Sequence, residues 1–184
     1  MDTKKIIADS MFSLLKTKSF EKITIEMILN ESKVSRSTFY RYFNDKYELM
    51  NWCYQSYVDT LLAKVYNGSE NWKNTLFLIF QFLNDNHEYF EQAAKVQGKN
   101  SFGDFLYNYS YEFYKNIYLD KTSKKALTAE ARVALEFNCS GAVHIVKEWL
   151  KKGRKESVAE IAEWSFQLIP DMFRKYLGHT GQYK

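Results

Sequence analysis

The sequence predicts an all-α protein of about nine helices, and two observations carry this prediction. The 184 residues include only 7 Gly and 1 Pro, whereas sandwiches and barrels need many residues of these types in their turns. Apolar residues recur with helical spacing along nearly the whole chain, and no segment shows the alternation of a strand. The apolar share of 46% also excludes disordered and low-complexity classes.

Four helices are expected in the first third of the chain. The first covers about residues 3–18 and carries an apolar stripe. Thr24 opens a short second helix, because its hydroxyl can accept a backbone N–H of the first turn. A break in the pattern precedes a third short helix, Arg36–Tyr42. Asp45 then caps a long fourth helix, which ends at Asn67-Gly68.

The remainder of the chain is expected to form five more helices. Ser157 and Glu160 have the spacing of a capping box and should open the last of them. Pro170 lies inside that helix and should kink it, because proline lacks the N–H that a helix interior needs. The expected ranges are about 71–86, 88–97, 102–119, 129–152 and 158–176.

The composition argues against several classes of function. The 2 Cys and 3 His show no metal-ligand spacing, so we expect no metal and no cofactor. The sequence contains no nucleophile motif and no Gly-rich phosphate loop, so we do not expect an enzyme. It shows no signal peptide and no apolar run long enough to span a bilayer, which favours a cytoplasmic protein without membrane contact.

Positive charge is concentrated around the third predicted helix. The whole chain carries 26 basic and 22 acidic residues, and a net charge of +4 does not by itself indicate a nucleic-acid ligand. Residues 33–46 hold four basic residues against one acidic residue, which gives a local charge of +3. The basic character is therefore local to this segment.

The second, third and fourth predicted helices have the lengths and the short turn of a helix-turn-helix unit. Phe39 and Phe43 can anchor the third helix in a small core. Its other side chains are hydroxyls, long cations and phenols, which reach base edges and phosphate oxygens in a major groove. A solvated surface helix without function is the alternative. The candidate contact residues are Arg36, Ser37, Thr38, Tyr40, Arg41 and Tyr42.

Residues 24–50 resemble the N-terminal DNA-binding domain of TetR-family transcriptional regulators. The shared pattern is a helix that starts at Thr24, a Val-Ser turn, a recognition helix rich in hydroxyls and aromatics, and a Lys that opens the fourth helix. One departure is Lys33, which stands where the family commonly has a Gly with positive φ. We therefore expect Lys33 to adopt a left-handed conformation.

The resemblance implies two kinds of DNA contact. The positions that mainly hold the sugar-phosphate backbone in the family are occupied here by Thr24, Ser35, Tyr40, Tyr42 and Lys46. The positions that face the groove are occupied by Arg36, Ser37, Thr38 and Arg41.

One recognition helix reads too few base pairs to find a single site, so we expect a homodimer on a near-palindromic operator. The predicted helix 129–152 is apolar around nearly its whole circumference, and such a helix needs cover on several sides. The resemblance implies that the last two helices form a four-helix dimer interface. A monomeric core that encloses both helices is the alternative. The candidate interface residues are Phe137, Val146, Trp149, Leu150, Ile161, Ser165, Leu168 and Met172.

The resemblance also implies an effector pocket in the regulatory domain, within the aromatic-rich middle of the chain. Plain aromatic core is the more frequent explanation of such a segment. We place the DNA-binding domain at residues 1–46, a linking helix at 46–66, and the regulatory and dimerisation domain at 47–184. The candidate pocket residues are Tyr107, Tyr111, Asn138 and His144.

Residues 141–162 resemble, less specifically, the DhaS-like branch of TetR regulators, which includes activators that respond to a protein partner. The alternative function is therefore a DNA-tethered adaptor or activator that a protein partner controls. An enclosed, polar-lined cavity would favour a small-molecule effector. A solid aromatic core with an exposed apolar groove would favour the adaptor.

Overall fold

Within residues 2–177, which the computed structural model describes, the chain forms ten α-helices, one 3₁₀ turn at Phe20–Lys22, and no strand. The all-α class, with a three-helix helix-turn-helix unit followed by a helical domain, is confirmed. The helices are α1 (Thr3–Leu15), α2 (Ile25–Ser32), α3 (Arg36–Tyr42), α4 (Lys46–Tyr66), α5 (Trp72–Asp85), α6 (His87–Lys95), α7 (Phe102–Thr122), α8 (Ala129–Lys151), α9 (Val158–Gln167) and α10 (Asp171–Arg174).

Polar side chains begin most of these helices by accepting a backbone N–H. The Thr24 hydroxyl caps α2, as the sequence predicts. The Asp45 carboxylate caps α4 by accepting the N–H of Glu48 at 2.8 Å. At α9, Ser157 and Glu160 form the predicted capping box. These starts are encoded locally, which is why spacing alone locates them.

Two expected helices differ from those in the structure. The first was expected over 3–18 but ends at Leu15, and the residues after it form a loop and the 3₁₀ turn, which is too short to show a helical period. The last was expected to continue through Pro170 with a kink. Instead α9 ends at Gln167, and Pro170 has a ψ of 137°, so the chain is extended there before α10. Proline therefore ends this helix, because its ring and missing N–H interrupt the hydrogen-bond ladder.

The helix-turn-helix unit, α1–α3, shares one continuous core with the rest of the described chain. α1 packs on α2, α4 and α6, while α5 packs on α9 and α8 packs on α6 and α7. Phe12 of α1 stacks on Tyr89 of α6, with ring centroids 4.1 Å apart. The Tyr89 hydroxyl donates to the carbonyl oxygen of Met50 in α4 at 3.1 Å. The unit is thereby attached to both α4 and α6.

Candidate nucleic-acid interface and effector cavity

α3 is held to the protein by two phenylalanines and keeps its polar side chains in solvent. Phe39 and Phe43 are 0% and 2% exposed, and their ring centroids lie 5.9 Å apart in the core. Tyr40 is 46% exposed. The helix therefore presents the polar side chains that the sequence singles out, while its apolar pair is buried. The other exposed residues of α3 are Arg36, Ser37 and Arg41.

The turn before α3 has the backbone conformation that the sequence predicts. Lys33 has a φ of 57° and a ψ of 22°, which is the left-handed helical region. A side chain with a Cβ is disfavoured there by about 1–2 kcal/mol. Lys33 is exposed, so its side chain meets no packing constraint that would add to this cost.

Three hydroxyls cluster at the start of α3. The Ser35 Oγ accepts the N–H of Thr38 at 3.1 Å and caps the helix. It also lies 2.9 Å from Ser37 Oγ and 2.8 Å from Thr38 Oγ1. A hydroxyl carries one donor and two acceptor lone pairs, so this cluster keeps capacity for a phosphate oxygen after its internal bonds are made.

Thr24 and Tyr42 flank the exposed part of the unit. Thr24 is exposed, and its hydroxyl oxygen caps α2 while its O–H is free to donate. Tyr42 is half-buried, and Lys4 Nζ lies 5.9 Å from its ring centroid. Both residues remain candidates for phosphate contact.

The structure does not present the Lys46 ammonium as a phosphate ligand. Lys46 Nζ donates to the carbonyl oxygens of Phe20 at 2.9 Å, Glu21 at 3.2 Å and Ile23 at 2.8 Å. These bonds use all three of its N–H donors. Burial lowers the pKa of Lys46, while the nearby Glu21 carboxylate partly offsets that effect. The prediction for this side chain is therefore corrected: Lys46 fixes the 3₁₀ turn to the start of α4.

The second candidate site is a cavity of about 90 Å³ between α4, α5, α7, α8 and α9. Its wall is mainly apolar, and the hydrogen-bonding groups on it include Ser110, Asn138 and Ser165. The aromatic and aliphatic part of the wall includes Tyr54, Trp72, Phe80, Leu106, Phe113 and Tyr114.

Of the four candidate pocket residues, Asn138 lines this cavity and the other three do not. Tyr107 and Tyr111 stack on each other with ring centroids 6.0 Å apart. They share one side of α7, whereas the cavity-lining residues of α7, such as Leu106 and Ser110, lie on a neighbouring side. His144 is exposed on α8. The helical register of α7 and α8, which composition does not reveal, decides these placements.

Comparison with known proteins identifies the family. Residues 7–52 match the model of the tetR family of bacterial regulatory proteins. Residues 70–171, more than half of the chain, match the model of a transcriptional regulator C-terminal region that belongs to TetR proteins. The chain belongs to the TetR family of transcriptional regulators. It is a DNA-binding regulator by family and not an enzyme.

One curated relative of this TetR-family chain is the HTH-type dhaKLM operon transcriptional activator DhaS of Lactococcus lactis subsp. lactis (strain IL1403). The two are 27% identical over 97 residues, which are 51% of this chain and 50% of that protein. The match thus spans about half the length of that activator.

Solved structures share the TetR fold over nearly the whole chain. A dihydroxyacetone kinase operon activator DhaS has a TM-score of 0.64 and 20% identity, and the match covers 96% of this chain and 98% of that one. A TetR transcriptional regulator from Streptococcus agalactiae 2603V has a TM-score of 0.60 and 19% identity, with 91% and 93% covered. At these identities the likeness establishes the fold alone.

The structure separates the eight candidate interface residues of this TetR-family chain into three groups: buried residues, residues that line the cavity or are half-buried, and exposed residues. Trp149, Leu150 and Ile161 are buried in the protomer's own core and are not available to a partner, so their assignment is corrected. The Trp149 Nε1 donates to the carbonyl oxygen of Glu156 at 3.0 Å. Val146 and Ser165 line the cavity, and Met172 is half-buried against the core. Phe137 and Leu168 are 83% and 65% exposed.

Two further exposed apolar residues were missed in the sequence. Val133 is 55% exposed and Trp164 is 48% exposed. Each lies four residues before one of the exposed candidates, so the i, i+4 pairs were visible as a signal. We call Val133 and Phe137 of α8, Trp164 of α9 and Leu168 directly after α9 the exposed apolar face of α8 and α9.

Other features of residues 2–177 point to no additional chemistry. Cys53 and Cys139 are buried, and burial raises the pKa of both thiols to about 12. Across the described residues, the His, Cys, Asp and Glu side chains form no group of three that could hold a metal ion. None of the helices there is long and apolar enough to cross a membrane.

Proposed function

We propose that this TetR-family chain is a homodimer that binds a near-palindromic operator through α3, and that an effector in the cavity sets its DNA affinity. The observation that carries the proposal is the arrangement of α3. Its apolar pair, Phe39 and Phe43, is buried, while Arg36, Ser37 and Arg41 are exposed together. Exposed Arg and Ser side chains on a short helix are suited to major-groove base edges and phosphates.

The exposed apolar face supports the dimer. Phe137 and Leu168 are among the large apolar side chains that the protomer leaves in water, and a second copy would cover them. Two α3 helices related by a twofold axis would enter major grooves about 34–36 Å apart, one turn of duplex. We propose a domain division in which residues 1–46 bind DNA and 47–184 dimerise and hold the effector, with α4 between them.

α4 supports a link between the cavity and DNA binding. Its middle residues Tyr54, Val58 and Leu62 form one wall of the cavity. Its first residue, Lys46, is bonded to the turn before α2. An effector that fits one position of α4 better than another would shift the population of the two DNA-binding units toward that position.

A protein-controlled adaptor is the alternative function, and the structure favours it less. It would need an apolar groove beyond the face that a second copy covers. The large exposed apolar side chains of the described chain that lie outside α8 and α9 are Tyr40, Tyr66 and Phe77, which lie on three different helices. The cavity is partly open and more apolar than the polar-lined site expected for an effector, but the aromatic core is not solid there, and this supports a small-molecule effector.

The α3 proposal is tested with Arg41→Ala. An inverted repeat in the DNA that flanks the gene supplies the operator duplex, and a scrambled duplex supplies the reference. Loss of a bidentate contact to a guanine is worth about 1–3 kcal/mol, so operator affinity should fall about 5- to 150-fold and base preference should relax. Fluorescence anisotropy over a range of salt concentrations measures both effects.

Lys155→Ala is the matched control, because Lys155 is an exposed cation in the loop after α8 and far in sequence from α3. It should bind operator like the wild type. If Arg41→Ala and Lys155→Ala behave alike on both duplexes, α3 is not the reading helix.

A further inference from the structure

Resting on the proposed effector role of the cavity, we propose two properties of the effector. It is a small uncharged molecule, mainly apolar, with one or two hydrogen-bonding groups. It reaches the cavity from the cleft between α4 and α7 by displacing Tyr109, which a hydrogen bond to Asp59 of α4 holds between the cavity and the cleft.

The cavity wall determines the chemical class. Its lining contains no Lys, Arg, Asp or Glu side chain, so a buried ion would have no partner of opposite charge. Ser110, Asn138 and Ser165 make no side-chain hydrogen bond to the described residues. A few unpartnered polar groups in an apolar wall are suited to orient one polar substituent of a ligand.

The cavity is too small for an aromatic ligand unless a side chain of its wall moves. An apolar cavity of about 150 Å³ is large enough to hold benzene. The cavity here is about 90 Å³, so a ligand as large as one ring requires a side chain of the wall to shift.

Most of the aromatic wall is fixed by several contacts. Trp72 stacks on Phe113 with ring centroids 4.3 Å apart, and its Nε1 donates to the Tyr114 hydroxyl at 3.0 Å. Phe80 meets Trp149 edge to face at 5.4 Å. These side chains are buried, so moving any of them disrupts packing on more than one side.

Tyr109 is the exception in this wall. It lines both the internal cavity and the open cleft between α4 and α7, and it is half-buried. One face of its ring stacks on Phe105, with centroids 5.3 Å apart. Its hydroxyl donates to the carboxylate of Asp59, which is exposed. Its ring also meets the buried Tyr54 edge to face, with centroids 6.2 Å apart. Rotation of Tyr109 toward the cleft therefore breaks one hydrogen bond and two ring contacts, and it leaves the buried rings in place.

The charge of the cleft agrees with an uncharged ligand. Its lining holds five carboxylates and two ammonium groups, a net charge of −3, which disfavours the approach of an anion. The charged residues that line the cleft are Asp45, Glu48, Asp59, Asp104, Glu112, Lys4 and Lys99.

We call the Asp59–Tyr109 hydrogen bond the latch. Its position links entry of the ligand to α4, the helix that leads to the DNA-binding unit. Asp59 belongs to α4, and Tyr109 belongs to α7. Opening the cavity thus removes a bond between the effector domain and the helix that leads to the DNA-binding unit. A ligand that keeps Tyr109 displaced would keep this bond broken.

The test uses the full chain and three ligands with the same ring: benzyl alcohol, benzoate and benzylamine. Benzyl alcohol should raise the melting temperature, and the two ions should not. Leu106→Trp fills the cavity and should abolish the shift. A shift with benzoate or benzylamine equal to that with benzyl alcohol would overturn the ligand class, and a shift that persists in Leu106→Trp would place the ligand elsewhere.

The latch is tested by the rate of binding. Tyr109→Phe keeps the ring and removes the bond to Asp59, so stopped-flow tryptophan fluorescence should show benzyl alcohol binding at least five times faster than in the wild type. Asp59→Asn should give an increase in the same direction. Tyr111→Phe is the matched control, because Tyr111 is on the same helix and does not line the cavity. Equal rates in Tyr109→Phe and Tyr111→Phe would contradict the latch.

These outcomes are separable from those of the proposed function. Failure of benzyl alcohol to bind would overturn the inference about the effector, while operator binding by α3 would be unaffected. Binding of benzyl alcohol that leaves operator affinity unchanged would support the site and contradict the effector role of the cavity, while the rates in Tyr109→Phe would still decide the latch.

Discussion

α3 and α7 both combine aromatic and polar side chains, but they differ in which of these side chains face the protein interior. α3 buries Phe39 and leaves its arginines in water. α7 turns Leu106 and Phe113 toward the cavity, and its polar Ser110 faces the same interior. A DNA-reading surface must be exposed to meet its ligand, whereas an effector site must exclude water to distinguish a small apolar molecule. The same residue types therefore acquire different roles through the side of the helix that is buried.

The largest effect is expected when the buried anchor of α3 is removed. Phe39→Ala deletes a fully buried ring, and such a change typically lowers the free energy of unfolding by about 3–5 kcal/mol. Arg41→Ala, two residues away on the exposed side, should change it by about 0.5 kcal/mol or less. Urea denaturation followed by circular dichroism measures both. Equal losses would mean that α3 is not anchored by its buried side.

The region around α3 was predictable because its signals are local. The bounds Arg36–Tyr42 follow from the Ser35 cap and from the two phenylalanines four residues apart. The cap and the phenylalanine pair depend on residues close in sequence, so spacing and side-chain chemistry are sufficient to locate them. The positive φ of Lys33 was expected from the family resemblance instead, because the family commonly has a Gly at this position of the turn.

The helices that surround the cavity were less predictable because their contacts join residues far apart in sequence. Trp149 is apolar and lies on a helix that is apolar all round, which made it a candidate for a subunit interface, yet the structure packs it against Phe80. The Tyr109–Asp59 bond spans 50 positions, and no periodicity indicates it. Composition shows that a helix needs cover but does not show whether its own chain or a partner provides it.

A second test asks whether the exposed apolar face of α8 and α9 is buried in a dimer. Leu168→Asp places a carboxylate on this face, and a dimer that buries it must desolvate the charge, so the dimer dissociation constant should rise about 100-fold. Sedimentation velocity over a range of protein concentrations measures the change. The protomer itself should stay folded, because Leu168 is 65% exposed.

Ala159→Asp is the control for that experiment, since Ala159 is an exposed residue of α9 that is not part of the apolar face. It should leave the dimer intact. If Leu168→Asp remains as dimeric as Ala159→Asp, α9 does not contribute to the interface, and the exposed apolar face needs another occupant.

The smallest effect is expected in a test that distinguishes Lys46 from Arg41. The two cations lie five residues apart, but Lys46 is bonded to three carbonyl oxygens of its own chain and Arg41 is exposed. Lys46→Met keeps the aliphatic stem but removes the ammonium donor from three carbonyl oxygens, of which, within the described chain, only that of Phe20 keeps a backbone N–H, from Ile23, so the free energy of unfolding should fall by about 1–3 kcal/mol. Operator affinity should also fall, since the turn is no longer fixed to α4. The slope of log affinity against log salt concentration should not change, whereas a lost phosphate contact lowers it by about one. A reduced slope with unchanged stability would return Lys46 to the DNA surface as a phosphate contact.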